Sequence, residues 1–132
     1  MAIFLDASYL IALHNENDVH HQNAVSIAHR VNSNEFGQLI TSDHVFDEAV
    51  SVTLRKFGKE AAQLLGKQIL DSVFIVQCDR HLFDAALEKF NSSKDAFSFT
   101  DCVSQAIMDL IQIKCIATFD KLFEKLDVEA LN

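Results

Sequence analysis

Short apolar runs alternate along this chain with stretches of helical periodicity, and this alternation is the strongest constraint on its fold. The runs occupy residues 2–5, 37–41, 72–76 and 114–117, and Val128 marks a further short edge strand. Strands that alternate with helices form right-handed βαβ crossovers, which set the strands in parallel. The sequence therefore predicts an α/β fold with a mostly parallel central sheet of four to five strands between helical layers.

The length of the chain fits one domain. With 132 residues, of which 49% are hydrophobic, the chain can bury a sizeable core. No linker or repeat divides it, so we expect a single domain over residues 1–132. No apolar run approaches the roughly 18 residues of a membrane-spanning helix, and no signal-peptide pattern precedes the first strand. We therefore expect a cytoplasmic protein with no membrane partner.

The composition also narrows the classes of function. A formal net charge of −8 argues against broad electrostatic binding of nucleic acid. It leaves open a nucleic-acid substrate held through metal ions, because bound cations reverse the field around clustered carboxylates. An acidic surface also suits a basic protein partner. Cys78, Cys102 and Cys115 lack CxxC spacing, so we interpret them as small hydrophobic residues rather than as zinc ligands or disulfide partners.

Several acidic residues fall where strands end or helices begin. Asp6 ends the first apolar run, Asp101 opens a predicted helix, and Asp120 follows the strand at 114–117. The carboxyl ends of parallel strands are where α/β sheets bind ligands. Two of the acids also have a purely structural interpretation: Ser98 and Asp101 have the spacing of a capping box, and Asp120 suits the first turn of a helix capped by Thr118.

A fourth acid, Glu48, lies on the helix predicted over residues 43–57. It stands three residues after Val45 and four before Val52, so it shares the edge of the apolar face of that helix. A buried unpaired carboxylate is costly, so one interpretation gives Glu48 a partner or a metal ion. The other leaves Glu48 at the border of the core, in contact with water.

Acids gathered at one sheet edge would require a cation among them, because their charges repel one another. A site made of oxygen ligands, with no His or Cys nearby, favours Mg²⁺ or Mn²⁺ over Zn²⁺. Such ions activate water and stabilise charge on a phosphate under attack. The reaction class that follows from a converged site is metal-dependent phosphodiester hydrolysis. His14, His20 and His21 are interpreted as solvated polar residues.

In their order and separation, the acidic blocks of this chain resemble those of PIN-domain nucleases, in particular VapC-type toxins of toxin–antitoxin pairs. The resemblance extends over essentially the whole chain. The blocks are Phe-Leu-Asp-Ala-Ser at 4–8, Thr-Ser-Asp-His-Val-Phe-Asp-Glu at 41–48, Phe-Ser-Phe-Thr-Asp at 97–101 and Thr-Phe-Asp-Lys-Leu-Phe at 118–123. No single block is specific, but the four together are.

The resemblance implies a three-layer α/β/α sandwich that is often a homodimer. It implies a metal-dependent endoribonuclease that acts on RNA and has an antitoxin as its usual partner. It also implies four catalytic acids that hold one or two Mg²⁺ or Mn²⁺ ions, and two hydroxyls that support them: Asp6, Glu48, Asp101 and Asp120, with Ser8 and Thr118. We therefore expect a VapC-type ribonuclease.

Other functions compete with this expectation. A PIN-like fold can serve as a catalytically silent binding or assembly module, and an active one can be a housekeeping RNA-processing nuclease. Phosphoryl-transfer domains of receiver or haloacid-dehalogenase type fit poorly, because Ser8 stands where the second Asp of the dehalogenase pattern belongs. For contact with RNA the best basic candidates are Arg55, Lys56 and Lys59, although cations near a helix C-terminus are favourable by themselves.

Overall fold

Five parallel strands form the centre of the protein in a computed structural model that describes residues 1–132. In chain order the strands are β1 (Ala2–Leu5), β2 (Gln38–Ser42), β3 (Phe74–Val76), β4 (Cys115–Ala117) and β5 (Glu129–Leu131). Their order across the sheet is β3-β2-β1-β4-β5, and every neighbouring pair is parallel. The predicted α/β fold is thus confirmed, with a sheet that is entirely parallel.

Six α-helices and one short 3₁₀ helix connect the strands. They are α1 (Ala7–His14), α2 (His21–Asn32), α3 (Asp43–Phe57), α4 (Lys59–Ser72), α5 (Arg80–Ser92) and α6 (Phe99–Ile111), with the 3₁₀ helix at Lys121–Lys125. Ser42 caps α3 by accepting the Val45 amide, and Asp79 caps α5 by accepting the Leu82 amide. None of the helices is long and apolar enough to cross a membrane.

The two faces of the sheet are covered by different helices. Successive side chains of a strand point to opposite faces. Leu39 of β2 lines a pocket with residues of α1, α2 and α4, whereas the next residue, Ile40, shares a pocket with Ile111 at the C-terminal end of α6. The sheet therefore lies between two helical layers, as expected of a sandwich.

The strand β1 is at the centre of the core and fixes the position of Asp6. Ile3 and Phe4 are fully buried, and Phe4 lies opposite Ile40 of β2 and Ile116 of β4. The backbone amide of Asp6 extends this ladder by donating to the carbonyl oxygen of Ala117 at 3.0 Å. The first acid is therefore held between the ends of the two strands in the middle of the sheet.

Two details of the sequence-based prediction were wrong. The run at 72–76 predicts a buried strand, but β3 is an edge strand, and 58% of Phe74 is exposed. The helix expected to begin at Val19 begins at His21, and Val19 is 90% exposed. An apolar residue signals burial only on average, so single residues at edges and helix starts escape the pattern.

Two of the three histidines interpreted as solvated are half-buried and bonded to the backbone. Nδ1 of His14 donates to the carbonyl oxygen of Leu10 at 2.9 Å, and Nδ1 of His21 donates to that of Ala12 at 2.7 Å. Because a carbonyl oxygen can only accept, the ring hydrogen sits on Nδ1 in both residues. Both rings therefore stabilise the turn between α1 and α2 through hydrogen bonds to the backbone of α1 and are not simply solvated.

The cysteine residues are free thiols. Cys102 and Cys115 are buried and Cys78 is half-buried, which agrees with their interpretation as small hydrophobic residues rather than disulfide partners.

Candidate active site

Asp6 and Thr118 lie side by side at the carboxyl ends of β1 and β4. The Thr118 hydroxyl donates to Oδ2 of Asp6 at 2.6 Å, and both residues are buried. Charge-assisted hydrogen bonds of this length are strong and restrict the carboxylate to one orientation. The central acid of the site therefore owes its orientation to a residue far away in the sequence.

A second hydroxyl, that of Ser8, contacts the same oxygen of Asp6 at 3.1 Å. Backbone amides fix both hydroxyls: Phe119 donates to Oγ of Ser8 at 2.9 Å, and Asp120 donates to Oγ1 of Thr118 at 3.0 Å. Each hydroxyl oxygen thus accepts an amide hydrogen and has one hydrogen of its own to give. The arrangement directs both of these hydrogens to Asp6.

Asp101 has a structural role and a place at the site at the same time. Oγ of Ser98 accepts the Asp101 amide at 3.1 Å, and Oδ2 of Asp101 accepts the Ser98 amide at 3.0 Å, so the capping box of α6 is complete. The same Asp101 side chain lines a cavity with Asp6. Only Oδ2 takes part in the cap, and Oδ1 has no hydrogen-bond partner in the protein. Asp101 can therefore serve in the helix cap and line the cavity at the same time.

Asp120 is the N-cap of the 3₁₀ helix, where its Oδ1 accepts the amide of Leu122 at 3.0 Å. The expected roles are exchanged here, since Thr118 was expected to cap this helix and Asp120 to lie in its first turn. Thr118 instead accepts the Asp120 amide and donates to Asp6. As in Asp101, one carboxylate oxygen of Asp120 is engaged and the other is not.

Glu48 reaches the site from the second turn of α3. Its side chain is exposed to solvent and lines the same cavity as the three aspartates, so the metal ion of its first interpretation stays a prediction. No Lys, Arg or His forms a salt bridge with any of these four carboxylates. The acids therefore face one another without a protein cation.

The cavity that these acids share has a volume of about 370 Å³. Its walls contain no Lys, Arg, His or Cys, and consist of these residues: Asp6, Ala7, Ser8, Ile11, Glu48, Val52, Ala96, Ser98, Asp101 and Asp120. Thr118 lies behind Asp6 and acts on the cavity through it. The sequence indicated Ser98 only as a helix cap. Its capping-box spacing to Asp101 was nevertheless the signal that it lies beside an acid of the cavity.

Burial and mutual repulsion raise the pKa values of three of these acids. Burial raises the pKa of Asp6 to about 6, although hydrogen bonds from Thr118, Ala7 and Ser8 oppose the shift and the charge of Asp101 adds to it. Partial desolvation followed by the charges of the other acids raises the pKa of Glu48. Desolvation, and to a lesser degree the charge of Asp120, raises the pKa of Asp101. The site would thus gain stability from a cation.

The donors fit a hard divalent cation, although they do not form a closed cage. No group of three or more carboxylate, imidazole or thiol side chains is close enough to hold an ion. Repulsion among carboxylates opposes their approach when no cation is present. The chemistry of the lining, which supplies carboxylate and hydroxyl oxygens and no nitrogen or sulfur side chain, suits Mg²⁺ or Mn²⁺.

The basic residues suggested for RNA contact lie elsewhere. None of Arg55, Lys56 and Lys59 lines the acidic cavity. Arg55 and Lys56 are exposed in the last turn of α3, and Lys59 borders an apolar groove of about 440 Å³ between α3 and α4. Their assignment to RNA stays a prediction.

Comparison with known proteins identifies a family whose model matches this chain. The family model of the PIN domain matches residues 3–129. The chain is similar to a VapC ribonuclease of Archaeoglobus fulgidus, with 28% identity over 127 residues that cover 93% of this chain and 80% of the relative.

Two solved structures share the fold. The VapC20 toxin of Mycobacterium tuberculosis, described as cleaving the Sarcin-Ricin loop, superimposes with a TM-score of 0.84 and 27% identity over 96% of this chain and 98% of that one. VapBC2 of Rickettsia felis, bound to a DNA fragment of its promoter, gives a TM-score of 0.72 at 11% identity, over 98% of this chain and 97% of that one. The second likeness concerns the fold alone.

Proposed function

Since the chain belongs to the PIN-domain family, we propose that it is a VapC-type endoribonuclease that hydrolyses RNA phosphodiester bonds with Mg²⁺ or Mn²⁺. The observation that carries the proposal is the lining of one cavity by four carboxylates with no protein cation among them. The ribonuclease of Archaeoglobus fulgidus and the toxin of Mycobacterium tuberculosis support the choice of RNA as substrate.

In this proposal the four acids Asp6, Glu48, Asp101 and Asp120 hold the ion or ions. A bound Mg²⁺ or Mn²⁺ supplies Lewis-acid chemistry, which activates water and stabilises negative charge on the phosphate. The protein's own part is to keep ligand oxygens ionised and in place. Ser8 and Thr118 do this for Asp6, because hydrogen bonds to the charged carboxylate lower its pKa against the effect of burial.

Two further residues prepare the site. The Ser98 amide fixes one oxygen of Asp101, and the Leu122 amide fixes one oxygen of Asp120. Each bond leaves the second oxygen of the carboxylate available and reduces the orientations that a ligand must lose on binding an ion. The acids are in this way oriented by the same bonds that begin helices.

Cleavage of RNA by the purified protein tests the proposal. We expect cleavage with Mn²⁺ or Mg²⁺, none with excess chelator, and a loss of at least about a hundredfold in rate for Asp6→Asn and Asp101→Asn. The proposal is wrong if both variants cut as fast as the wild type. Cleavage by a co-purified nuclease is excluded when the variants, prepared in the same way, are inactive.

We also propose an antitoxin as protein partner. The similarity to VapC proteins supports it, and the net charge of −8 suits a partner that presents basic side chains. An Arg placed in the acidic cavity could form bidentate bonds to two carboxylates and block access of the ion. A reading frame for a small DNA-binding protein beside the gene, and inhibition of cleavage by its product, would separate a toxin from a housekeeping nuclease.

A catalytically silent PIN-like module remains the second candidate, because no three ligating side chains are close enough to hold an ion. Titration with Mn²⁺ separates the two, since a silent module would show no affinity. The homodimer is a proposal as well, and sedimentation of the purified protein tests it.

A further inference from the structure

The rings of His20 and Phe119 stack on each other near the acidic cavity. Their centroids are 4.4 Å apart and their planes differ by 5°. His20 is the last residue before α2, and Phe119 stands in the turn between Thr118 and Asp120. The pair thus joins the turn that follows α1 to the segment that supplies two residues of the proposed site.

The position of Phe119 relative to the acids is fixed by the backbone. Its amide donates to Oγ of Ser8 at 2.9 Å, and Ser8 in turn contacts Asp6. The next residue, Asp120, lines the cavity. Phe119 therefore belongs to the short segment that forms one edge of the cavity, and the His20 ring stacks on its side chain next to the cavity lining rather than within it.

The two rings differ in exposure. Phe119 is half-buried and packs against the hydrophobic core, whereas His20 is exposed. With one face of the imidazole against Phe119, the opposite face is the one left to solvent. The imidazole covers one face of the Phe119 ring and keeps its own second face in solvent, where a further planar group can stack on it.

The turn that carries His20 is held in place. The His20 amide donates to Oδ1 of Asp18 at 2.9 Å, the Asp18 amide donates to the carbonyl oxygen of Asn15 at 2.9 Å, and the neighbouring His21 is bonded to Ala12. The imidazole is therefore presented by an ordered segment. A preorganised aromatic surface binds a planar ligand at a smaller entropic cost than a mobile one does.

We propose that the His20–Phe119 pair is a stacking platform for a nucleobase adjacent to the phosphate that is cut. The inference rests on the proposed function. Unpaired RNA bases stack on aromatic rings, including those of His, and each such contact contributes about 1–3 kcal/mol. The cavity has no Lys or Arg in its walls and the chain carries a net charge of −8, so the protein's own side chains there offer phosphate groups no positive charge. Stacking supplies affinity that does not depend on positive charge.

The binding test uses a single-stranded RNA pentanucleotide with 2-aminopurine at each position in turn, in the presence of chelator so that no turnover occurs. Stacking on the platform quenches the fluorescence of one position in the wild type. We expect this quenching to disappear in His20→Ala and to return in His20→Phe, which restores an aromatic face. His29→Ala is the matched control, because His29 is exposed on α2 and away from Phe119.

The kinetic test follows cleavage of the same RNA with Mn²⁺. We expect His20→Ala to raise KM about tenfold, which corresponds to roughly 1.4 kcal/mol, with kcat changed less than about twofold. Phe119→Leu, which keeps an apolar side chain but lacks a ring, should have the same effect. Both variants should keep the wild-type Tm within a few degrees, roughly what a change of under about 1 kcal/mol produces.

The platform is refuted if His20→Ala retains the quenching, if its KM equals that of the wild type, or if no position of the probe is quenched by the wild type. A purely structural pair would change Tm without the position-specific quenching. Failure of the wild type to cleave RNA with any divalent ion would overturn the nuclease proposal, and the quenching experiment would then still decide on the platform.

Discussion

The hydroxyl of Thr118 donates to Oδ2 of Asp6 at 2.6 Å and joins the ends of the two central strands β1 and β4. Burial has raised the pKa of Asp6 to about 6, and this hydrogen bond is the largest influence that opposes the shift. It therefore helps to keep Asp6 ionised near neutral pH. The bond therefore has two roles: it stabilises the ends of β1 and β4, and it orients Asp6, a proposed metal ligand.

Replacing Thr118 by Val tests this relationship. The change removes the donor to Asp6 and the acceptor of the Asp120 amide. We expect a loss of about 1–3 kcal/mol in the free energy of unfolding, and an acid limb of the pH–rate profile that moves to higher pH. Chemical denaturation and cleavage rates across pH measure the two effects.

The matched control for that variant is Thr53→Val. Thr53 is fully buried like Thr118, but its Oγ1 has no hydrogen-bond partner. Its replacement by a side chain of similar shape should be neutral or stabilising and leave the pH profile unchanged. An unchanged profile in Thr118→Val would contradict the role assigned to the hydroxyl.

Asp6→Asn is expected to stabilise the metal-free protein at neutral pH. The pKa of Asp6 is raised from 3.8 to about 6, so the folded state binds the proton more tightly than the unfolded state. The contribution of this group to stability is complete below pH 3.8 and is lost as pH rises through about 6. A shift of this size corresponds to about 3 kcal/mol at neutral pH, and Asn still offers an oxygen to both hydroxyls.

Urea denaturation in chelator, at about pH 5 and about pH 7.5, measures this effect. The gain of the Asn variant over the wild type should be larger at the higher pH, and roughly 1–3 kcal/mol there. Mn²⁺ should stabilise the wild type more at the higher pH and the variant little. A variant that is less stable than the wild type at both pH values would show that the carboxylate is not under strain.

Glu48 and Asp47 form a natural pair for a metal-binding experiment. They are adjacent on α3 and both are exposed, but only Glu48 lines the acidic cavity. Glu48→Gln and Asp47→Asn remove the same charge, so a difference between them reflects position. We expect Glu48→Gln to weaken Mn²⁺ binding by about tenfold or more in calorimetric titration, and Asp47→Asn to leave it near the wild-type value. Equal affinities in the two variants would remove Glu48 from the proposed ligand set.

Ser98 and Asp79 cap α6 and α5 through the same kind of bond, at 3.1 and 2.9 Å. Ser98→Ala and Asp79→Ala should each cost about 1 kcal/mol of stability. Only the Ser98 hydroxyl fixes the backbone of a cavity acid, because it accepts the amide of Asp101, so only the Ser98 variant should also lose activity. Parallel measurement of Tm and cleavage rate separates the two effects, and an equal loss of activity in both variants would indicate a general effect of helix fraying.

Much of the fold follows from local patterns in the sequence. The alternation of apolar runs and helical periodicity predicted the parallel sheet, and the helix at 43–57 has the predicted bounds. What local pattern cannot supply is the place of a strand across the sheet. Phe74 and Ile116 stand in similar apolar runs, yet 58% of one is exposed and none of the other, because β3 is at an edge and β4 is not.

The sequence indicated the four acids that line the cavity, but it did not indicate the hydrogen bonds that orient them. Strand ends indicated Asp6, whereas the pairing of Thr118 with Asp6 depends on the adjacency of β1 and β4, which the sequence does not encode locally. For Asp101, spacing correctly indicated a capping box, and only the three-dimensional position of the start of α6 gave the same residue a place in the cavity. The stacking of His20 on Phe119 left no signal in the sequence, because it joins two turns.

The double use of Asp101 affects how such a gene can lose its activity. If Glu48 is a metal ligand as proposed, its exchange should give a silent but folded protein, because Glu48 takes part in no helix cap. Exchange of Asp101 also removes half of the capping box of α6, the bond from the Ser98 amide to Oδ2 of Asp101, and the destabilised product is more exposed to proteolysis in the cell. Under selection against the enzyme, inactive alleles that persist as protein should therefore carry changes at Glu48 more often than at Asp101, while alleles changed at Asp101 should be found with reduced protein levels.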